Sequence, residues 1–123
     1  FRGTDTNIIW ARLFYLFGAG EHPNRLVPYL HAQLRAGRVA ELSSGSQIRD
    51  YMDVDAAAHM LLSDVSRDVD GPSNICSGRA QTVAELANEI ADEYGRRDLL
   101  AFGTRADNHL DPPIIVGQRP KRD

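Results

Sequence analysis

The run Ser46-Gln47-Ile48-Arg49-Asp50-Tyr51-Met52-Asp53-Val54-Asp55 carries the strongest chemical signal in this chain. It reads as a short strand that feeds directly into an amphipathic helix. A guanidinium placed there suits a phosphate or diphosphate, because its planar fork donates two parallel hydrogen bonds and keeps its charge at ordinary pH. The competing reading of Arg49 is a structural ion pair with Asp50, since surface pairs are common and contribute little. Arg25 is a second cation at a helix start, where free backbone amides also favour anions. The competing reading, a solvated first-turn residue, is the simpler one for Arg25.

Other chemistry is thin. The four histidines, His22, His31, His59 and His109, show no zinc-type spacing such as H-E-x-x-H. No G-x-S-x-G elbow occurs, and Asp53 with Asp55 fits a helix start better than an acid/base pair. No catalytic residue and no metal ligand is assigned. Cys76 is the sole cysteine, so an internal disulfide is excluded, which suits a reducing cytoplasm.

The elements that must position Arg25 and Arg49 follow from periodicity and punctuation. Residues 7–14 predict a buried strand ending at a glycine turn. A helix is expected over 25–36, with Leu26, Val27, Leu30 and Leu34 on one face, Pro28 in the first turn and Gly37 just past the end. Short strands are expected at 39–42 and 48–53, joined by the loop 43–46. The next helix, 54–65, places Val54, Ala57, Ala58, Leu61, Leu62 and Val65 on one stripe. A turn at 70–73 and a strand at 74–76 precede the third helix. Thr82-Val83-Ala84-Glu85 reads as its capping box and Gly95 as its end. Beyond Phe102 the pattern fades to an extended Asp111-Pro112-Pro113 and a brief strand at 114–116. A loose tail is expected over 117–123, with Arg119, Lys121 and Arg122 as a solvated end.

Composition bounds the class. At 123 residues the chain is expected to form a single domain, with 42% apolar and 25% charged residues. A net charge of −3 gives no global attraction for nucleic acid or anionic membrane, and no apolar run approaches the roughly 20 residues of a membrane span.

Four motifs recur in a telling order: Arg12-Leu13-Phe14-Tyr15-Leu16-Phe17-Gly18-Ala19-Gly20, then Arg25-Leu26-Val27-Pro28, then Gly45-Ser46-Gln47-Ile48-Arg49-Asp50, then Asn74-Ile75-Cys76-Ser77-Gly78. Over residues 8–116 this resembles the C-terminal part of the NAD-dependent epimerase/dehydratase family, the extended short-chain dehydrogenases acting on nucleotide-diphosphate sugars. The resemblance implies an α/β fold of about three main helices packed on a few short strands. It implies a late Rossmann strand at about 7–14 and a nucleotide-sugar-binding lobe at about 20–116. The N-terminal Rossmann half is expected to be lacking. In the family the residue matching Arg49 contacts the diphosphate, and the basic position matching Arg25, beside Asn24, lies next to the nucleotide. Leu42 matches a position that often packs on the nucleobase, although core packing also suits it. Tyr15 stands where the family has an asparagine that helps hold the substrate phosphates, so the substrate or its grip differs there. Asn74 is read as structural.

The chain lacks two features of the intact family. It has no glycine-rich dinucleotide turn, because Gly18-Ala19-Gly20 is followed by Glu21 and Pro23. It has no Tyr-x-x-x-Lys, because Tyr15, Tyr29, Tyr51 and Tyr94 have no lysine four residues on. The expectation is a nucleotide-diphosphate-sugar-binding portion of an epimerase or dehydratase, not catalytically competent alone. No cofactor is expected for this chain by itself, and NAD or NADP for the intact family. The alternative is an autonomous non-catalytic module or truncated gene product. Strand 7–14 without its sheet neighbours would recruit a partner, so a homo-oligomer is expected, with strand exchange as one route.

Overall fold

The computed structural model describes residues 6–119. It is an α/β chain of three α-helices and nine short strands that divides into two compact units. One unit comprises 6–18, 50–79 and 116–119; the other comprises 19–49 and 80–115.

The first unit is built on parallel pairing. Strand β1 (Ile9–Leu13) pairs with β6 (Gly71–Ile75), and β2 (Tyr15–Phe17) pairs with β5 (Tyr51–Asp53). The strand expected at 7–14 is β1, with Trp10 and Leu13 exposed rather than buried, and a second strand with a different partner, β2, follows it before the glycine turn. Phe14 marks the change: its N–H donates to Ile75 O at 3.3 Å, and the next N–H, of Tyr15, donates to Asp50 O at 3.3 Å. Strand β6 starts inside the expected turn and accepts Pro72. Gly71 N–H donates to Ile8 O at 2.7 Å, so by alternation the proline nitrogen faces away from β1 and no ladder bond is lost. Helix α2 (Val54–Ser66) is capped by Asp53, whose carboxylate accepts from the N–H groups of Asp55 and Ala56. Met52, Ala57 and Ile75 form the core, with Ala11, Leu16, Met60 and Leu61 packed against them.

The α2 stripe differs from expectation. Its inward face is Ala57, Met60, Leu61 and the fully buried Asp64, while Leu62 and Val65 are 64% and 56% exposed. Asp64 is tolerated inside because its charge is paired and hydrogen-bonded. It accepts from Ser73 Oγ at 2.5 Å and from Arg119 Nη2 at 2.8 Å. Arg119, expected in a solvated end, instead also donates to Asn74 O at 2.6 Å.

The second unit packs α1 (Leu26–Arg35) against α3 (Val83–Tyr94). Leu30, Leu34, Leu86, Ala87, Ile90 and Ala91 are buried there. Half of the expected capping box forms at α3: Thr82 Oγ1 accepts from Glu85 N–H at 3.0 Å, and the Glu85 carboxylate accepts from the Thr82 hydroxyl at 3.1 Å rather than from the Thr82 N–H. Gly95 closes the helix with φ 64°, a left-handed conformation that favours glycine. Strand β3 (Ala40–Glu41) pairs with β8 (Leu100–Ala101). The expected strand 48–53 is broken at Asp50: β4 (Ile48–Arg49) lies between β7 (Gln81–Thr82) and β9 (Ile114–Ile115), and β5 belongs to the first unit.

Candidate functional site

The second unit holds a pocket of about 240 Å³ at the start of α1 and the end of β3. Asn24, Leu26 and Tyr29 line it from the helix side, Glu41, Leu42 and Ser43 from the strand side. Val83, Arg105 and Ala106 complete it.

Local chemistry fixes these walls. Helix α1 begins at Leu26 after Arg25, an N-cap that makes no side-chain cap bond; Pro28 in its first turn has no N–H, so the Leu26 and Val27 amides are the ones that keep their donor capacity. Tyr29 Oη accepts from Glu41 N–H at 3.0 Å and ties the helix to β3. The loop after β8 folds back on the strand: Gly103 N–H donates to Ser43 O and Arg105 N–H to Leu42 O, both at 3.0 Å. Gly103, at φ 82°, makes the turn that allows this return. Asp107 anchors the next step by accepting from Ser44 N–H at 2.9 Å. That bond holds the Asp107 carboxyl below the usual aspartate range, with the Ser44 side chain adding to the effect.

Arg105 is the cation of the pocket. Its guanidinium carbon sits 4.9 Å from the centroid of the Tyr29 ring, a cation–π stack that leaves its N–H donors open. Asn24, Glu41 and Arg105 all line this pocket, and neither the Asn24 amide, the Glu41 carboxylate nor the Arg105 guanidinium has a hydrogen-bond or ion-pair partner among the described residues. Leu26, Leu42 and Val83 give apolar walls. A flat apolar group together with an anion suits such a site.

Of the residues expected from sequence, the pocket brings together Asn24 and Leu42. Leu42 is 4% exposed, so it belongs to the core as well as to the wall. Arg25 does not line the pocket; its Nε donates to Glu21 Oε1 at 3.0 Å, four residues back. Arg49 is 3% exposed on β4, and its Nη1 donates to Ile48 O at 2.9 Å. Its cross-strand partner is Gln81, whose buried Nε2 has no hydrogen-bond partner among the described residues. Tyr15 lies in the other unit, paired in register with Tyr51 at a ring-centroid separation of 5.8 Å. Asp50 is fully buried there and accepts from Ser77 N–H, Ser77 Oγ, Gly78 N–H and Gly117 N–H.

Arg105, Tyr29 and Glu41 escaped the sequence reading. Arg105 follows the last clear helix, where periodicity has faded, and only the fold-back onto residues 42 and 43 gives it a place. The cue available was a lone arginine in the loop Gly103-Thr104-Arg105-Ala106-Asp107.

The second unit thus brings an arginine and apolar walls to one pocket. The family described as NAD dependent epimerase/dehydratase matches residues 2–76, and the chain belongs to that family. Solved structures share the fold. UDP-N-acetylglucosamine 4-epimerase from Methanobrevibacter ruminantium M1, in complex with UDP-N-acetylmuramic acid, superposes with a TM-score of 0.79 at 20% identity, covering 90% of this chain and 37% of that one. dTDP-glucose 4,6-dehydratase from Bacillus anthracis str. Ames, in complex with NAD, gives 0.78 at 18% identity, covering 90% and 35%. UDP-N-acetylglucosamine 4-epimerase from Bacillus cereus gives 0.70 at 28% identity, covering 78% and 34%. The chain thus spans little more than a third of these relatives. No curated protein sequence matches it significantly.

Gly18-Ala19-Gly20 does not form the glycine-rich turn that holds a dinucleotide. Gly18-Ala19-Gly20 leads into Glu21, His22 and Pro23, and α1 begins only at Leu26, so no helix N-terminus follows the glycines directly. No hydride step is assigned to these side chains. No helix among the described residues is long and apolar enough to cross a membrane.

Proposed function

We propose that this chain grips the nucleotide diphosphate of a nucleotide-diphosphate sugar for an epimerase or dehydratase of its family, and does not itself transfer hydride or protons. The observation that carries the reading is Arg105, stacked on Tyr29 with its donors open, in the pocket at the uncapped start of α1. The guanidinium and the first-turn amides suit phosphate oxygens, and Leu26, Leu42 and Val83 suit a base. Binding energy of this kind orients a substrate for chemistry performed elsewhere. Arg49 and Gln81 add a second candidate contact: they are paired across β4 and β7, where an arginine and an orphaned amide donor suit an anion. Arg25, Asn24, Leu42 and Tyr15 stay proposed as substrate-binding residues, Asn24 and Leu42 on the stronger ground of lining the pocket. NAD or NADP would be held by residues outside this chain, and a reducing cytoplasm suits the free, buried Cys76.

Calorimetric titration with UDP-, dTDP-, GDP- and CDP-sugars tests the reading. Saturable binding is expected, weakened about 10- to 100-fold by Arg105→Ala, as loss of charged hydrogen bonds implies. A folded chain that binds none of the four overturns it. NAD-dependent turnover by the purified chain would overturn the non-catalytic part.

A second reading, self-association of a non-catalytic module, has its own support. Trp10 and Leu13 on β1 are 69% and 59% exposed, and Val54, Leu62 and Val65 run exposed along α2 in the same unit. Parallel strands are ordinarily covered on both faces. Light scattering after sizing is expected to give a concentration-dependent dimer or larger species; a monomer at every concentration sinks this reading.

A further inference from the structure

The pocket is lined by an anionic residue as well as a cationic one, and the anion narrows what can bind. Glu41 lines the same pocket as Arg105, and its carboxylate has no partner among the described residues. Its backbone is fixed, because Tyr29 Oη accepts its N–H at 3.0 Å and the Tyr29 ring carries Arg105 at 4.9 Å. An ionised carboxylate only accepts hydrogen bonds, through two oxygens. Beside a diphosphate it would repel the ligand unless the ligand also brought donors to it. A nucleotide has two such donor pairs: the vicinal 2′- and 3′-hydroxyls of a ribose, and the adjacent N1–H and N2–H of guanine. A 2′-deoxythymidine carrier has neither, because its single imide N–H is flanked by two carbonyls that a carboxylate repels.

We infer that Glu41 is a specificity-determining residue that selects nucleotides presenting two adjacent donors and rejects 2′-deoxythymidine diphosphate. The inference rests on the reading of the pocket as a nucleotide site. It names one shared chemistry, a donor pair on a carboxylate, with ribose and guanine as its two sources.

Titration of the full chain and of Glu41→Gln with UDP, GDP, 2′-deoxy-GDP and dTDP tests it. The unsubstituted chain is expected to bind UDP or GDP at least about 10-fold more tightly than dTDP, the range that a charged hydrogen bond supports. Glu41→Gln is expected to narrow that gap to roughly threefold or less, since an amide keeps one acceptor and loses the charge. If 2′-deoxy-GDP follows GDP, guanine supplies the donors; if it follows dTDP, the ribose does. Equal affinity for all four on the unsubstituted chain overturns the inference without reference to any variant. So does a preference that survives in Glu41→Gln of unchanged thermal stability, and in either case the nucleotide site itself stands. Failure of every nucleotide to bind the folded chain overturns the site reading and the inference together.

Discussion

The guanidinium of Arg105 lies over the ring of Tyr29 at 4.9 Å, and the hydroxyl of that same tyrosine holds the backbone of Glu41. One side chain therefore carries the guanidinium of Arg105 and anchors the backbone of Glu41. Tyr29→Leu removes platform and hydroxyl together; Tyr29→Phe keeps the platform. A cation–π contact at an exposed site contributes about 0.5–1 kcal/mol. Nucleotide affinity is expected to fall about two- to fivefold in Tyr29→Leu and to change by less than about twofold in Tyr29→Phe. Equal losses in the two variants, read by calorimetry, would show that the ring face does not orient Arg105.

Asp50 is expected to be a pillar of the first unit rather than a ligand. Its carboxylate accepts four hydrogen bonds, from Ser77 N–H at 2.8 Å, Ser77 Oγ at 2.6 Å, Gly78 N–H at 2.8 Å and Gly117 N–H at 3.1 Å. Asp50→Ala would strand these donors away from water. A stranded donor costs about 1–3 kcal/mol, so a loss on the order of 3 kcal/mol or more is expected in urea unfolding. Asp50→Asn should lose nearly as much, because its amide places N–H against N–H. A variant within about 0.5 kcal/mol of the parent, on the scale where surface changes fall, would contradict this role.

These two sites differ in how far the sequence reveals them. Periodicity located all three helices, and the Thr82–Glu85 box located the start of the third, because those signals are local. The breaks at Phe14 and Asp50 are not local. They occur where a strand changes partner, and the partners lie in distant segments. The inward turn of α2 was hidden for the same reason: Asp64 is satisfied by Ser73, nine residues on, and by Arg119, 55 residues on. Arg49 was visible because it sits in a motif. Arg105 was not, because its loop becomes a wall only through hydrogen bonds to residues 60 or more positions earlier.

Cys76 should be inert in the native chain. Burial pushes its thiol pKa up and the negative charge of Asp50 adds to the shift, while a Gly78 backbone bond and Arg119 act the other way. Alkylation at neutral pH is expected to be at least about 10-fold slower in native buffer than in urea, since the thiolate is the reactive form. Fast native labelling would mean that the segment around Gly117, which packs closely against Cys76, opens readily.

Asp107 links acid to the pocket. Its carboxyl pKa is lowered by the Ser44 backbone N–H and then by the Ser44 side chain. A carboxyl depressed by folding stabilises the native state above the unfolded aspartate range, near 3.9. That contribution disappears as pH falls through the lower folded value. The bond it protects holds Ser44, next to Leu42 and Ser43 in the pocket wall. Asp92 and Asp98 are also depressed, by Arg97 and Arg96, so acid sensitivity of the whole chain is not diagnostic. The difference between the chain and Asp107→Asn is diagnostic. The variant is expected to be the less stable at neutral pH, and the gap should close as pH drops below the ordinary carboxylate range. Urea midpoints at several pH values measure this directly. Parallel profiles, with a constant gap at every pH, would mean that the Ser44 bond does not depend on the charge of Asp107.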